Sequence, residues 1–178
     1  MHSASTVVFH RHDLVWLKLD TVKHADYAGP APMEPISALS LLHRWVLGNY
    51  PLIVARQADM PKGYLRIGLA EPASWGKRRL SFLVNVQGVE KHQHGPLLAL
   101  VLSQLPQPWQ PGGVALQTFL TKHAIAAHVY GSSAVQVLTG LPCITESSDL
   151  DLLFKPSSWA DAEKLCLFLH ALEKQYPE

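Results

Sequence analysis

The chain has 178 residues, of which 48% are hydrophobic and only 16% are charged. This composition excludes a disordered chain, which needs low hydrophobicity and a high net charge. The formal net charge of +1 argues against a nucleic-acid binder held by bulk counterion release, and at about 150 residues per domain the length fits one large or two small domains.

Three features predict a soluble, cytoplasmic protein. Cys143 and Cys166 lack the spacing of a metal knuckle and indicate a reducing compartment. Residues 1–12 contain no signal-peptide core and no small-residue cleavage site. The longest apolar run, 96–102, is far shorter than the roughly 20 residues that span a bilayer.

The first half of the chain predicts a small α+β domain. Apolar residues recur at helical spacing after Pro35, at Ile36, Leu39, Leu42 and Val46. Gly48-Asn49 would end that helix, and the prolines of 29–32 predict a loop before it. Strands are predicted at 12–17, 52–55, 65–69 and 80–86. The polar segment 87–95 is expected to link two domains, with the boundary between residues 88 and 89.

The second half predicts helices around two short strands. The helices are expected at 96–105, at 114–123, from Ala134 to a stop at Gly140, and after a cap at Ser157 or Ser158. Between the first two, the proline-rich segment 106–113 predicts a turn, and the strands are expected at 125–130 and 150–154. The last helix has an apolar stripe that is expected to face the core, formed by Trp159, Ala162, Leu165, Cys166, Leu169 and Leu172.

Two carboxylates at alternate positions are the strongest chemical signal. In a strand, Asp149 and Asp151 project from one face, while Leu150 and Leu152 project from the other. Adjacent carboxylates repel each other, and a divalent cation removes that cost. Mg²⁺ takes one or two carboxylates together with water and phosphate oxygens, so the pair predicts a magnesium site. A lone Asp-x-Asp is more commonly a solvated strand end.

A glycine and a serine come between the preceding predicted strand and helix. Gly131 permits a tight turn and a close approach of phosphate to the backbone. The helix that starts near Ser132 directs its free N–H groups at that anion. With Asp149 and Asp151 following in one strand–turn–helix–strand order, the segment predicts a site for a triphosphate.

This order resembles the nucleotidyltransferase superfamily, and the long interval between Ser132 and Asp149 is similar to one family within it. That family is the malonate decarboxylase holo-acyl-carrier-protein synthases, or phosphoribosyl-dephospho-CoA transferases. The blocks of this sequence that carry the resemblance are 11–17, 51–57, 105–106, 109–110, 131–142 and 148–153. The resemblance thus covers the whole chain in scattered blocks, of which the last two are the most specific.

The resemblance implies an α+β fold of two small domains, residues 1–88 and 89–178, the second with a nucleotidyltransferase-like mixed sheet and flanking helices. It implies transfer of phosphoribosyl-dephospho-CoA from triphosphoribosyl-dephospho-CoA to a serine of the acyl carrier protein subunit of malonate decarboxylase, with release of pyrophosphate. Asp149 and Asp151 would bind Mg²⁺, and one of them is a candidate for orienting the serine hydroxyl. Gly131 and Ser132 would contact the departing phosphates. No nucleic acid or membrane partner is implied.

The sequence departs from the superfamily pattern in one respect. Nucleotidyltransferases have a third carboxylate on a later strand, whereas this sequence stops directly after the helix that follows Asp151, so we expect the second domain to be truncated at its C-terminus. Asp161 and Glu163 lie where acids stabilise a helix N-terminus, which explains them without a metal.

Arginine and histidine residues supply further candidates. Arg56 follows a buried strand inside a family-like block and is a candidate phosphate contact, with a solvent-exposed cation as the alternative. His10 and His12 could share a strand face but lack the other ligands of a metal site. His92 and His94 are expected to be solvated.

Two other functions remain open from the sequence. The chain could be an adenylyltransferase that uses ATP and Mg²⁺, which keeps the same site but changes the substrate. Without a third carboxylate, it could instead be a module that binds a nucleotide or a carrier protein and has no turnover.

Overall fold

A computed structural model describes residues 7–28, 35–76 and 78–176. The loop predicted at 29–32 therefore lies outside the described residues. The chain divides into two compact units, one of Met1–His94 with Leu138–Cys143 and one of Gly95–Val137 with Ile144–Glu178. The predicted α+β class is confirmed, because both units combine helices with antiparallel strands.

The first unit is built on a six-stranded sheet in which every neighbouring pair is antiparallel, in the order β2-β5-β4-β3-β1-β6. The strands are β1 (Leu14–Leu17), β2 (Asp26–Tyr27), β3 (Leu52–Val54), β4 (Tyr64–Ala70), β5 (Arg79–Asn85) and β6 (Val89–Gln93). Burial alternates along β4 and β5, so each buries one face, as period-two patterning predicts.

The helix α1 (Pro35–Leu47) lies between β2 and β3 in the chain. It ends at Gly48-Asn49 as predicted, and Asn49 adopts a left-handed backbone with φ of 54°. Trp45 is buried and donates its indole N–H to the Pro51 carbonyl at 2.9 Å. Short 3-10 turns connect the other elements, at Leu19–His24, Ala73–Trp75 and Val86–Gly88.

The polar segment that we expected to be a linker is the edge strand β6. It pairs with β1 along its length and closes one side of the sheet. An edge strand that is exposed on one face can be polar, and its composition then hides the strand signal. The division between the units falls after it, between His94 and Gly95.

A buried carboxylate joins β6 to the start of β1. Asp13 is only 2% exposed, and its two oxygens accept hydrogen bonds from His92 Nε2 at 2.7 Å, His94 Nδ1 at 2.6 Å and the His10 backbone N–H at 2.8 Å. Burial opposes ionisation, but these three donors together hold the pKa of Asp13 below its usual value. The expectation that His92 and His94 are simply solvated was therefore wrong.

The second unit contains the helices α2 (Leu98–Val101), α3 (Gln110–Lys122), α4 (Gly131–Thr139) and α5 (Trp159–Gln175) and the strands β7 (Ala126–Val129) and β8 (Leu152–Lys155). Short 3-10 turns at Leu102–Gln104 and Gln107–Trp109 lie between α2 and α3. β7 and β8 pair antiparallel, and an isolated antiparallel bridge joins Leu97 to His128 on the other edge of β7. The nucleotidyltransferase-like character of this unit stays a prediction.

Several boundaries in the second unit differ from the predicted ones; α4, for example, begins at Gly131 rather than at Ala134. α3 begins at Gln110 rather than at residue 114, because Pro111 occupies the first turn, where proline costs no hydrogen bond. β8 begins at Leu152, so Asp149 and Asp151 lie in the segment that leads into the strand.

The last helix packs through part of the predicted stripe, with Leu165, Leu169 and Leu172 on the core as expected. Ser158 caps α5 by accepting a hydrogen bond from the Asp161 N–H, as expected. Leu165 is buried, and Phe168, Leu169 and Leu172 pack against the same core. Trp159 is 87% exposed and Cys166 is also exposed, so their predicted core positions were wrong. Among the described residues, no helix has the length and apolar character needed to cross a membrane.

We predict that Asp13→Asn destabilises the first unit by about 2 kcal/mol. The asparagine amide nitrogen cannot accept a hydrogen bond, so at least one of the donors that now bond the carboxylate would lose its partner. Thermal and urea unfolding measure the loss. Since the pKa of Asp13 is lowered, its stabilising effect is complete above the usual aspartate pKa of about 3.9 and is lost as the pH falls through the lowered value. The variant should lack that acid-dependent step, while the exposed Asp20→Asn control should keep it. Equal acid dependence in wild type and Asp13→Asn would contradict the assignment.

Candidate functional site

The turn between β7 and α4 brings two of the predicted motifs together. Val129, the last residue of β7, is completely buried, and Gly131 begins α4 with φ of 66°. The Tyr130 backbone N–H donates to the Asp151 carbonyl at 3.1 Å, so the pairing of β7 with β8 continues one step beyond β8. This hydrogen bond places Asp151 beside the turn.

The side chain of Asp151 lies directly over Gly131. A Cβ atom added to Gly131 would overlap the Oδ2 atom of Asp151. The left-handed φ also favours glycine at this position. Two constraints therefore require glycine at position 131: the left-handed backbone conformation and the closeness of the Asp151 carboxylate.

The first turn of α4 presents the donors that an anion needs. The first N–H groups of a helix have no intrahelical partner, and the helix dipole adds positive potential there. Ser132 is half-buried at this end. Ser133 is completely buried, and its Oγ atom has no hydrogen-bond partner in the described part of the chain. We did not single out Ser133 from the sequence, although the doubled serine after Gly131 was the available signal.

Asp149 is exposed and follows a well-anchored loop. The Ile144 N–H donates to Gln136 Oε1 of α4 at 2.9 Å, and the Thr145 N–H donates to Ser148 Oγ at 2.9 Å. Ser148 in turn donates its N–H to the Thr145 carbonyl at 3.0 Å. These bonds hold the long interval between Ser132 and Asp149 in a defined conformation.

The chemistry of this donor set fits Mg²⁺ bound together with a phosphate. Asp149 and Asp151 are separated by one residue, and the Asp151 side chain lies at the N-terminus of α4. Among residues 7–28, 35–76 and 78–176, no cluster of three or more histidine, cysteine or acidic side chains could hold a metal by itself. Mg²⁺ does not need such a cluster, because water and phosphate oxygens complete its coordination.

One other predicted site residue belongs to the other unit. Arg56 belongs to the first unit, where it is exposed just after β3. The backbone beside it is braced by Gln57, which bonds the carbonyls of Ala55 and Arg66 at 2.7 and 2.8 Å. Burial raises the pKa of the Cys143 thiol to about 11, so the thiol is protonated near neutral pH.

Two family models match the chain, one for each half. Residues 10–94 match the N-terminal domain of phosphoribosyl-dephospho-CoA transferase MdcG, and residues 97–178 match the C-terminal domain of the same family. All the candidate site residues except Arg56 fall in the second match.

Curated relatives agree with the family models. A phosphoribosyl-dephospho-CoA transferase of Xanthomonas campestris pv. campestris is 32% identical over 165 residues, which cover 92% of this chain and 73% of the relative. Proteins of the same name from Xanthomonas axonopodis pv. citri and Bradyrhizobium diazoefficiens are 34% and 33% identical, covering 92% and 94% of this chain and 72% of each relative. No solved structure gives a significant match.

We predict that Gly131→Ala lowers stability and transfer activity together, because the new Cβ would displace the Asp151 carboxylate. Gly140→Ala is a matched control, since Gly140 has φ of 70° but open space around a Cβ. Gly140→Ala should cost only the left-handed conformation, about 1–2 kcal/mol. Thermal unfolding and initial rates of both variants separate the two effects. Equal losses of stability and activity in the two variants would contradict the role of the close approach.

Proposed function

This chain belongs to the phosphoribosyl-dephospho-CoA transferase family, and we propose that it acts on triphosphoribosyl-dephospho-CoA at the site around Gly131 and Asp151. The chain is a transferase. In the proposed reaction, the acceptor is a serine of the acyl carrier protein subunit of malonate decarboxylase, and pyrophosphate leaves. The cytoplasmic location and the use of Mg²⁺ are part of the same proposal.

One observation carries this proposal, the position of the Asp151 carboxylate against the first residue of α4. A carboxylate at that place would repel a phosphate unless a cation lay between them. The N–H groups of the helix N-terminus attract the same phosphate. The arrangement therefore supports a site in which a metal-bound polyphosphate sits between Asp151 and the start of α4.

In the proposed reaction, the aspartates and the Gly131-Ser132 turn have different roles. When bound, Mg²⁺ would neutralise charge on the phosphates and on the leaving pyrophosphate. Asp149 and Asp151 would hold it, while the backbone N–H groups and hydroxyl of the Gly131-Ser132 turn orient the departing phosphates. The serine oxygen forms a bond to the α-phosphorus while its O–H bond breaks and the proton passes to solvent water. The bond from that phosphorus to the bridging oxygen breaks, and its electron pair leaves with pyrophosphate.

Arg56 is proposed as a second phosphate contact. Its guanidinium is exposed, and the bonds from Gln57 hold the adjoining backbone in place. A planar fork of donors suits the pyrophosphate bridge of a dephospho-CoA substrate.

We predict that Asp149→Asn combined with Asp151→Asn abolishes both pyrophosphate release and labelling of the carrier protein, because neutral amides would no longer hold the cation. Chelation of divalent ions should have the same effect on the wild type, with recovery on adding Mg²⁺. The measurement follows radiolabelled precursor into the carrier protein and pyrophosphate in a coupled assay.

Glu163→Gln is the control for that double variant, since Glu163 is an exposed acid of α5 in the same unit. It should transfer at the wild-type rate. Activity that survives in the double variant would refute the site. A wild type that releases pyrophosphate only from ATP would show an adenylyltransferase, and tight precursor binding without any release would show a binding module.

We predict that Arg56→Gln raises the KM for the precursor several-fold with little change in kcat, since a contact to an unreacting phosphate binds ground state and transition state alike. Arg79→Gln tests the specificity of the effect, because Arg79 is another exposed arginine of the first unit. An unchanged KM in Arg56→Gln would remove Arg56 from the site.

A further inference from the structure

The two-stranded sheet of the second unit has an inner, buried face and an outer face. On β7, Val129 is completely buried, and on β8, Leu152 and Phe154 pack against the core. Because side chains alternate along a strand, the residues between these positions take the opposite face. The outer face therefore carries His128 of β7 and its direct partner in β8, Leu153.

A third side chain extends the outer face on the other edge of β7. Leu97 forms an antiparallel bridge with His128, and residues paired in this way project to the same side. The next residue, Leu98, is completely buried, as the alternation requires. Leu97, His128 and Leu153 thus form one row across the outer face. We call the two leucines at its ends, Leu97 and Leu153, the leucine pair.

Both members of the leucine pair are open to solvent. Leu97 is 40% exposed and Leu153 is 38% exposed, whereas every other apolar residue of β7 and β8 is buried or half-buried. A single exposed leucine is ordinary on a protein surface. Two of them in one row that contains no aspartate, glutamate, lysine or arginine resemble the centre of a protein–protein interface, where charged residues are depleted.

The leucine pair lies beside the candidate site. Strand pairing continues from Leu153 towards Asp151, because the Tyr130 N–H donates to the Asp151 carbonyl at 3.1 Å. Asp151 is two residues from Leu153 and so projects from the same outer face. Two residues along a strand span about 7 Å. The leucine pair is therefore the next row of side chains after Asp151 in the direction away from the Gly131 turn.

The proposed reaction determines the side from which the acceptor approaches. In phosphoryl transfer, the attacking and the leaving oxygen lie roughly in line, on opposite sides of the phosphorus. The proposed site holds the departing phosphates at the Gly131-Ser132 turn. The attacking serine must then come from the side of the phosphorus that is away from this turn. Along the strands, the row that follows Asp151 on that side is the leucine pair.

We propose that the leucine pair is a docking surface for the acyl carrier protein and packs against apolar side chains next to its acceptor serine. This inference rests on the proposed function, which makes a protein the acceptor. A carrier protein that brings its serine to the phosphorus beside Asp151 also brings the surface around that serine onto the outer face. Burial of the two exposed leucines would stabilise the complex, because it removes apolar area from water.

The test compares the double variant Leu97→Gln with Leu153→Gln against the single variant Leu167→Gln. Leu167 is the matched control, because it is a leucine that is 73% exposed on α5 and lies outside the sheet. In the double variant we expect KM for the carrier protein to rise about tenfold or more, as for the loss of well-packed interface contacts. The KM for the precursor and kcat at saturating carrier protein should stay those of the wild type. Leu167→Gln should match the wild type throughout.

Other occupants of the outer face would give other results. If the leucine pair bound the precursor, KM for the precursor would rise in the double variant and KM for the carrier protein would not. If a second copy of this chain covered it, sedimentation would show a wild-type dimer that the double variant dissociates. Either result, or an unchanged KM for the carrier protein, would overturn the inference.

Folding and function are controlled separately. Thermal unfolding establishes whether each variant is folded at the assay temperature, and Leu153→Gln alone replaces the double variant if that variant unfolds. A wild type that labels no carrier protein would refute the proposed function and this inference with it. Labelling by the wild type and by the folded leucine variant with the same KM for the carrier protein would refute the inference alone.

Discussion

The second unit depends on one close approach, that of the Asp151 carboxylate to the Cα atom of Gly131. It follows from three local facts, the left-handed φ of Gly131, the absence of a Cβ, and the hydrogen bond from the Tyr130 N–H to the Asp151 carbonyl. The pairing of β7 with β8 brings the two residues together, and both strands pack against the buried core of the second unit. The Asp151 carboxyl group is thereby kept beside the backbone donors of a helix N-terminus.

Much of the fold could be predicted where the burial of one face gives the sequence a periodic pattern of apolar residues. The alternation in β4 and the helical spacing that ends at Gly48-Asn49 were read correctly, because each element has one buried face. β6 was missed, since an edge strand with a polar composition shows no such alternation. The α5 stripe was predicted correctly at Leu165, Leu169 and Leu172 but wrongly at Trp159, which continues the apolar pattern yet is exposed to solvent. Periodicity shows that a residue is apolar but cannot show whether a neighbour covers it.

The candidate site was predictable to the extent that its chemistry is local in sequence. Gly131, Ser132, Asp149 and Asp151 lie within one stretch, and the structure brings Gly131 and Asp151 into contact. The hydrogen bond of His128 could not be recognised in this way, because its partner, the Gly95 carbonyl, is 33 residues away. The same applies to Asp13, whose partners His92 and His94 are 79 and 81 residues further along the chain. Pairings of this kind depend on strand order, which residue spacing does not record.

The composition of the first unit has a consequence for the order of events during synthesis. Its last piece, Leu138–Cys143, follows the other residues of that unit only after more than forty residues of the second. A ribosome that has finished β6 has therefore not yet synthesised the last segment that groups with the first unit. The Gly131 turn emerges before that piece, whereas Asp151 emerges after it. The last segment of the first unit and the second partner of the Gly131–Asp151 contact are thus synthesised within the same short interval of translation, although the segment and the contact belong to different units.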